Sequence, residues 1–232
     1  MKAIVVTPTY NEQENIRELI ESILRAHPAL DAVIVDDDSP DGTARIVEEL
    51  SRQSNRVHLI KRKGPHGRGY ADILGMQFAL KEGYDYIIQM DADLSHDSKH
   101  LPELLKAVES HDVVIGSRLI SGGKILGRNP YRNFVTKLAN AYIRAVLGLH
   151  VQDCTSGYRC YRRSVLASLG LDKMFSPGPS LLEETLYACH KKGYDIHEIP
   201  ITFFERRKGK SKLTLKELAY IFWLVLKIRL KK

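Results

Sequence analysis

No uncharged stretch of this chain exceeds nine residues, far short of the roughly 20 that a bilayer-spanning helix needs. Cysteine is scarce: Cys154, Cys160 and Cys189 make an odd set, with no C-x-x-C pair and no zinc-like spacing. A disulfide framework is therefore not expected, and the thiols read as reduced, as in a cytosolic protein. The opening "MKAIVVTPTYNE" turns polar after a few apolar residues, so no signal peptide is expected. "TPTYNE", after the first apolar run, has no glycine. That speaks against a dinucleotide fold, which needs G-x-G-x-x-G there to bring backbone NH groups to a pyrophosphate. The glycine-rich "GPHGRG" (64–69) lies elsewhere and fits an ordinary loop equally well. No Lys-Pro pair occurs. A phosphorelay receiver, which also sets acids after an early strand as "VIVDDD" does, would need one and would leave much of the chain unexplained. No segment is biased enough in composition to suggest disorder.

The 232 residues, 44% hydrophobic, suit one large domain, or one domain with a C-terminal appendage. Charge is unevenly spread. Residues 205–232 carry ten Lys or Arg against two Glu, a net of +8 in a chain of total +7, which leaves −1 for residues 1–204. A basic tail of this kind fits a nucleic-acid binder, a protein seated on an anionic membrane, or a solvated charged end.

Short Val- and Ile-rich runs recur at 3–6, 32–35, 57–60, 85–90 and 112–117. Between them lie segments of helical period: Ile16, Leu19, Ile20, Ile23 and Leu24 repeat at three and four, and "TARIVEELSRQ" does the same after the breaker "SPDG". The alternation predicts an α/β domain of parallel strands joined by helical crossovers. Ligands of such sheets bind beyond the carboxyl ends of the strands. Three of those ends carry chemistry: "TPTYNE", "DDDSPDG" and "DADLSH".

In "DYIIQMDADLSHD" (85–97) an apolar strand runs straight into Asp91 and Asp93. Buried carboxylates need partners, so a positive charge is expected between them. Hard divalent cations take oxygen ligands, and magnesium or manganese typically combine one or two carboxylates with substrate phosphates. A lone D-x-D is more often a polar loop. At the end of an internal strand, beside other acidic strand ends, it reads as a metal site for Mg2+ or Mn2+.

"PTYNE", "VDDDSPDGT", "DADLSH", "GSR" and "FERRKGKSKL" occur in an order that resembles the polyprenyl-phosphate glycosyltransferases, nearest the dolichyl-phosphate mannose synthases among them. The resemblance spans nearly the whole chain. It implies the glycosyltransferase A fold, a Rossmann-like sheet with flanking helices. It also implies a nucleotide-sugar donor, a dolichyl or polyprenyl phosphate acceptor, and inversion at the anomeric carbon. On this reading the protein moves a hexose, with mannose from GDP-mannose favoured and UDP-glucose as the alternative donor. A receiver-like or nucleic-acid-binding domain is the alternative outside the class.

Residue by residue, the resemblance puts Pro8, Tyr10 and Glu12 around the nucleoside, Val35 and Asp37 at base and ribose, and Asp91, Ala92 and Asp93 at metal and diphosphate. Ser95 stands where some relatives carry glutamine, as a third ligand or water holder. The residue chemistry agrees in part, since an acid accepts from ribose hydroxyls and an aromatic packs beside a base. Which of Asp36, Asp37 and Asp38 is used depends on the strand pleat. Arg118 and Arg132 match positions that meet the acceptor phosphate, which a guanidinium holds through paired NH donors. In "QDCTSGYRCYRR" (152–163), a stretch similar to the family's acceptor-side loop, Asp153, Ser156 and Gly157 fit a tight turn. Phe203, Arg206, Gly209, Ser211 and Lys212 follow the family's F-x-x-R-x-x-G-x-S-K pattern, which would close Arg206 and Lys212 over the diphosphate. Glu183 and Glu184 lie where relatives carry an acid near the sugar, and fit equally as first-turn helix acids.

A lipid acceptor calls for a membrane element. The division expected is a catalytic domain over 1–212 and an amphipathic basic helix over 213–232. Tyr220 and Trp223 suit the interface between bilayer and water, and lysines flank the apolar run. The expectation is a peripheral protein on the cytoplasmic face of a membrane, with a small membrane-protein partner or a removed membrane region as options, and no nucleic acid.

Overall fold

The computed structural model describes residues 2–205 and 215–230, the last helix with side chains from residue 222 onward. In chain order the elements are β1 (Ala3–Thr9), α1 (Ile16–Ala26), β2 (Leu30–Asp36), α2 (Thr43–Gln53), β3 (Val57–Lys61), α3 (Arg68–Lys81), β4 (Tyr86–Gln89), α4 (Leu101–Val108) and β5 (Val113–Ser117). There follow β6 (Lys124–Leu126), α5 (Pro130–Leu147), β7 (Arg159–Arg162), α6 (Arg163–Ser168), α7 (Leu181–Lys191), β8 (Ile196–Pro200), β9 (Thr202–Phe204) and α8 (Leu215–Leu230). All five expected strands form, and α2 covers its expected segment end to end.

Seven strands make one sheet in the order β3-β2-β1-β4-β7-β5-β8, and β6 with β9 makes a small second one. Alternation along the strands sends side chains to two cores. Ala3 and Val5 face the layer of α1 and α4, while Ile4 and Val6 face that of α3 and α6. Both faces are covered, which is why these strands read as continuous apolar runs. Helix α3 lies close on the sheet because residue 75 is glycine: a Cβ there would stand 2.4 Å from Val6 Cγ1 and 3.1 Å from Val35 Cγ2.

One expectation needs correction. The segment 152–163 is not all loop, because Arg159–Arg162 forms β7, an interior strand that lies between β4 and β5 and is antiparallel to both. Its "RCYR" looks too polar for a central strand. The structure satisfies that polarity internally. Arg159 is fully buried and donates to the carbonyls of Ser156 (2.8 Å), Leu182 (2.5 Å) and Cys154 (2.6 Å). Cys160 and Tyr161 fill the two cores on either side.

Helix α8 is no detached appendage. Leu224, Val225 and Ile228 are buried, Val225 and Ile228 in a third cluster with Ile143 and Leu147 of α5 and Leu186 and Tyr187 of α7. Tyr142 donates to the Phe222 carbonyl at 3.1 Å, with the two rings 4.4 Å apart. Among the described residues no helix is long and apolar enough to cross a membrane.

Candidate active site

The sheet order sets β2, β1 and β4 side by side, so the three chemically loaded strand ends share one edge. Among the described residues, the non-glycine positions with positive φ are Asn11, Asp38 and Leu94, one in each of these three loops. Left-handed backbone at residues other than glycine costs energy and clusters at functional sites. The strain marks this edge.

After β2 the three aspartates separate by role. Asp36 turns inward and accepts from Thr9 Oγ1 (3.1 Å), Ser39 N (3.0 Å) and Ser39 Oγ (2.6 Å), so it builds the loop. Asp38 is exposed. Asp37 is buried beneath a basic rim, accepting from Gly67 N at 2.8 Å, with Arg62 Nη2 at 2.8 Å and His66 Nδ1 at 3.5 Å. Tyr10 is exposed at the same end, its ring 5.2 Å from that of His66. Glu12 accepts from Asn15 Nδ2 at 2.8 Å, and its own NH donates to Thr43 Oγ1 at 3.0 Å. Pro8 pairs in register with Val35. Val35 itself is fully buried, its side chain beneath α3, so it forms the floor of this end and shows no surface to a base.

After β4, Ser95 N donates to Asp93 Oδ1 at 3.1 Å, which folds the D-x-D loop back on itself. Asp91 forms an ion pair with Arg68 Nη2, and His96 Nε2 stands 3.5 Å from its other oxygen. Arg68 also faces the buried Asp72, Nε to Oδ2 3.4 Å. Opposing burial, Asp91 and then Asp72 hold the Arg68 guanidinium firmly charged. Burial pushes the Asp72 carboxyl up to about 6 although Arg68 pulls it down. The positive charge that partners Asp91 is thus, in this structure, an arginine. Gly157 makes the approach possible, since a Cβ there would lie 2.6 Å from Arg68 Nη2 and 3.0 Å from Asp91 Oδ1.

A divalent ion fits this corner by its donor chemistry. Asp91 and Asp93 offer hard oxygens, and Ser95 Oγ is buried without a hydrogen-bond partner among the described residues. Among the described residues no group of three His, Cys, Asp or Glu converges to hold a metal unaided, so substrate oxygens would have to complete the shell.

Arg118 leaves β5 and is gripped by Asp153: backbone N to Oδ2 2.9 Å, Nε to Oδ2 2.7 Å, Nη2 to Oδ1 2.7 Å, with Thr155 Oγ1 at 2.7 Å. Asp153 is in turn held below the usual carboxylate range, its burial outweighed by Arg118. Asn129 accepts from Tyr131 N at 2.8 Å and caps α5, Pro130 following as its first residue. That start sets Arg132 and Arg128 on Glu205, the latter through Nε to Oε2 at 2.7 Å. Burial raises the Glu205 carboxyl, but Arg128 and then Arg132 bring it below its ordinary value. The Phe203 ring lies 5.2 Å from the Arg118 guanidinium and 5.0 Å from that of Arg128, joining the two groups.

Of the two helix acids, Glu184 is architectural, accepting from Phe175 N (3.2 Å) and Ser176 N (2.9 Å). Glu183 is buried, pushed up to about 7 by that burial against the pull of Arg159. Arg206 and Lys212 lie outside the described residues. Sequence reasoning missed Arg62, Arg68, Asp72, Arg128 and Glu205. For Arg68 a signal existed, a cation set between two glycines at the start of a helix.

Residues 4–170 match the family described as glycosyl transferase family 2. The chain belongs to this family. It is 38% identical over 214 residues to an undecaprenyl-phosphate mannosyltransferase from Micrococcus luteus, covering 92% of this chain and 88% of the relative. It is 39% identical over 217 residues to a polyprenol monophosphomannose synthase from Mycolicibacterium smegmatis, covering 92% and 81%. Among solved structures, glucosyl-3-phosphoglycerate synthase from Mycobacterium tuberculosis with Mn2+, UDP and glucosyl-3-phosphoglycerate superposes with a TM-score of 0.70 at 20% identity, over 98% of this chain and 78% of that one. At that identity the likeness shows the glycosyltransferase A fold.

Proposed function

We propose that this glycosyl transferase family 2 protein moves a mannosyl residue from a nucleoside diphosphate sugar, GDP-mannose in our reading, to a polyprenyl phosphate. One observation carries the reading. The D-x-D carboxylates stand between two different kinds of binding end, one with Asp37, Tyr10 and a basic rim, suited to a nucleoside, and an arginine group of Arg118, Arg128 and Arg132 suited to a second phosphate. A donor spans the first end and the carboxylates, and an anionic acceptor meets the arginines. The mannosyl relatives, aligned over nine-tenths of the chain, favour mannose as the sugar and a polyprenyl phosphate as the acceptor.

The acceptor phosphate is anionic near neutral pH and attacks the anomeric carbon without a strong base, so no residue is assigned that role. The protein aligns the two substrates and stabilises the departing nucleoside diphosphate. Asp91 and Asp93, with Ser95 beside them, would hold Mg2+ or Mn2+, which neutralises the charge that develops on the leaving diphosphate. Asp37 orients the nucleoside. Arg132 and Arg128 release Glu205 and take the acceptor phosphate, while Arg118, locked on Asp153, shapes the wall behind it.

The test is a thermal-shift panel of GDP and UDP with and without Mn2+, on the wild type and on Asp91→Ala and Asp93→Ala. We expect a manganese-dependent shift with GDP that both substitutions abolish. A larger shift with UDP would move the donor to a UDP-sugar. A wild-type shift retained by both variants would remove the metal from Asp91 and Asp93.

A further inference from the structure

Buried polar groups are almost always hydrogen-bonded, and each exception asks for a reason. Two histidines just beyond the D-x-D pair make the contrast. His100 is buried and uses both ring nitrogens: Nδ1 donates to Glu103 Oε2 at 2.8 Å, and Nε2 accepts from Thr202 N at 3.1 Å. His96 is 3% exposed and uses neither, since its Nδ1 and Nε2 have no hydrogen-bond partner among the described residues. Two unpaired polar atoms in the interior cost folding free energy that an apolar side chain of the same shape would not. Packing alone does not account for a histidine here.

The ring is held in place from both the main chain and its neighbours. His96 forms an antiparallel bridge with Phe203 of β9, and Phe204 N donates to the Ser95 carbonyl at 3.0 Å. The rings of Tyr158 and Phe203 lie 4.9 Å and 5.5 Å from the imidazole. So fixed, Nε2 stands 3.5 Å from Asp91 Oδ2, while Arg68 occupies Asp91 Oδ1. One carboxylate thus faces two nitrogen donors, one on each oxygen. The arginine is engaged and the imidazole stands just short of a hydrogen bond.

A carboxylate that ligates a metal is regularly hydrogen-bonded in turn by a neighbouring group, which fixes its orientation. We propose that His96 is the positioning residue of the D-x-D site, its Nε2–H donating to Asp91 Oδ2 once a divalent cation takes Oδ1 from Arg68. One oxygen of Asp91 then serves the cation while the imidazole holds the other. The inference rests on the metal placed at Asp91 in the function proposed above. It gives the cost of a buried, unpaired imidazole a return at the site rather than in the fold.

The test is Mn2+ binding to the full chain, followed by the electron paramagnetic resonance signal of free Mn2+, with and without GDP. The wild type is compared with His96→Gln, His96→Asn and His96→Leu. Gln carries its amide nitrogen at the reach of Nε2, Asn only at that of Nδ1, and Leu fills the space without a donor. His96→Leu and His96→Asn should bind Mn2+ at least about tenfold more weakly, and His96→Gln within about threefold of the wild type. His96→Leu should melt no lower than the wild type, because it removes two unpaired polar atoms. In sugar transfer, raising Mn2+ should restore the rate of His96→Leu, with KM for a short water-soluble polyprenyl phosphate unchanged. Should His96→Leu not fold, the contrast between Asn and Gln decides alone. Wild-type Mn2+ affinity in His96→Leu or His96→Asn overturns the inference and leaves the metal at Asp91. Equal losses in the Gln, Asn and Leu variants overturn it as well, and make the ring a packing element. A wild type that binds no Mn2+ even with GDP removes the metal from Asp91, and both readings fall together.

Discussion

Arg68 is the residue that changes how the D-x-D pair is understood. Asp91 and Asp93 were legible because they are adjacent in sequence and end an apolar run. Their counter-ion was not, because it comes from the start of α3, 23 residues away, across a gap that Gly157 keeps open. On the function proposed above, metal uptake at Asp91 would be an exchange in which a guanidinium must leave. Removing that competitor should strengthen binding of Mn2+ alone. The clean variant is Arg68→Met with Asp72→Asn, which takes away both members of a buried charge pair rather than stranding one. We expect about tenfold tighter Mn2+ binding in the absence of nucleotide, about 1.4 kcal/mol, read by the electron paramagnetic resonance signal of free Mn2+. Identical binding curves would show that Arg68 does not compete. Glu183 offers a second test at this scale. Its carboxyl holds a proton up to about 7 in the folded protein, against about 4.3 in an unfolded chain. The folded state therefore binds the extra proton, and its stabilisation is full below about pH 4 and lost as pH rises through 7. Glu183→Gln cannot ionise. Its unfolding free energy should gain on that of the wild type between pH 5 and pH 8, by an amount on the order of 3 kcal/mol at most, read from urea unfolding at each pH. A constant difference across that range would mean Glu183 does not titrate there.

At the scale of elements, the first half of the fold was readable because each strand carries its own apolar run and each helix its own period. The C-terminal half was harder. β7 hides its strand character behind Arg159 and Arg162, whose polar groups are satisfied in part by carbonyls distant in sequence, Leu182 for Arg159 and Glu109 and His111 for Arg162. The register of α3 on the sheet was equally silent, since "GRGYADILGMQFAL" shows weak helical segregation. Gly75 sets the distance between this helix and the sheet. Gly75→Ala should gain up to about 1 kcal/mol of helix propensity and lose about 1–3 kcal/mol by pressing on Val6 and Val35. The expected balance is net destabilisation, seen as a lower urea midpoint with unchanged slope. A midpoint at or above the wild-type value would show that α3 can shift away without cost. The site should feel the same change, because α3 carries Arg68 at its first turn.

The chain as a whole joins a sugar-transfer domain to a basic tail, and composition alone suggested that the two could be parted at residue 212. The packing of α8 argues otherwise. Leu224, Val225 and Ile228 are buried, Val225 and Ile228 against α5 and α7 in the third core, and Arg229 Nη1 donates to Tyr187 Oη at 2.8 Å. Burying three such side chains is worth roughly 1.5–3 kcal/mol each as an upper bound, comparable with the entire margin of many domains. A chain ending at residue 212 should therefore melt several degrees lower than the full protein and bind a dye for exposed apolar surface. The variant Lys227→Gln with Lys231→Gln and Lys232→Gln keeps the three buried side chains and removes only charge. It should melt as the wild type does and lose affinity for anionic vesicles by about 1 kcal/mol per cation near the surface. The two variants separate the tail's roles. If the truncated chain kept the wild-type melting temperature, α8 would be an appendage after all, and the third core would have to stand on α5 and α7 alone.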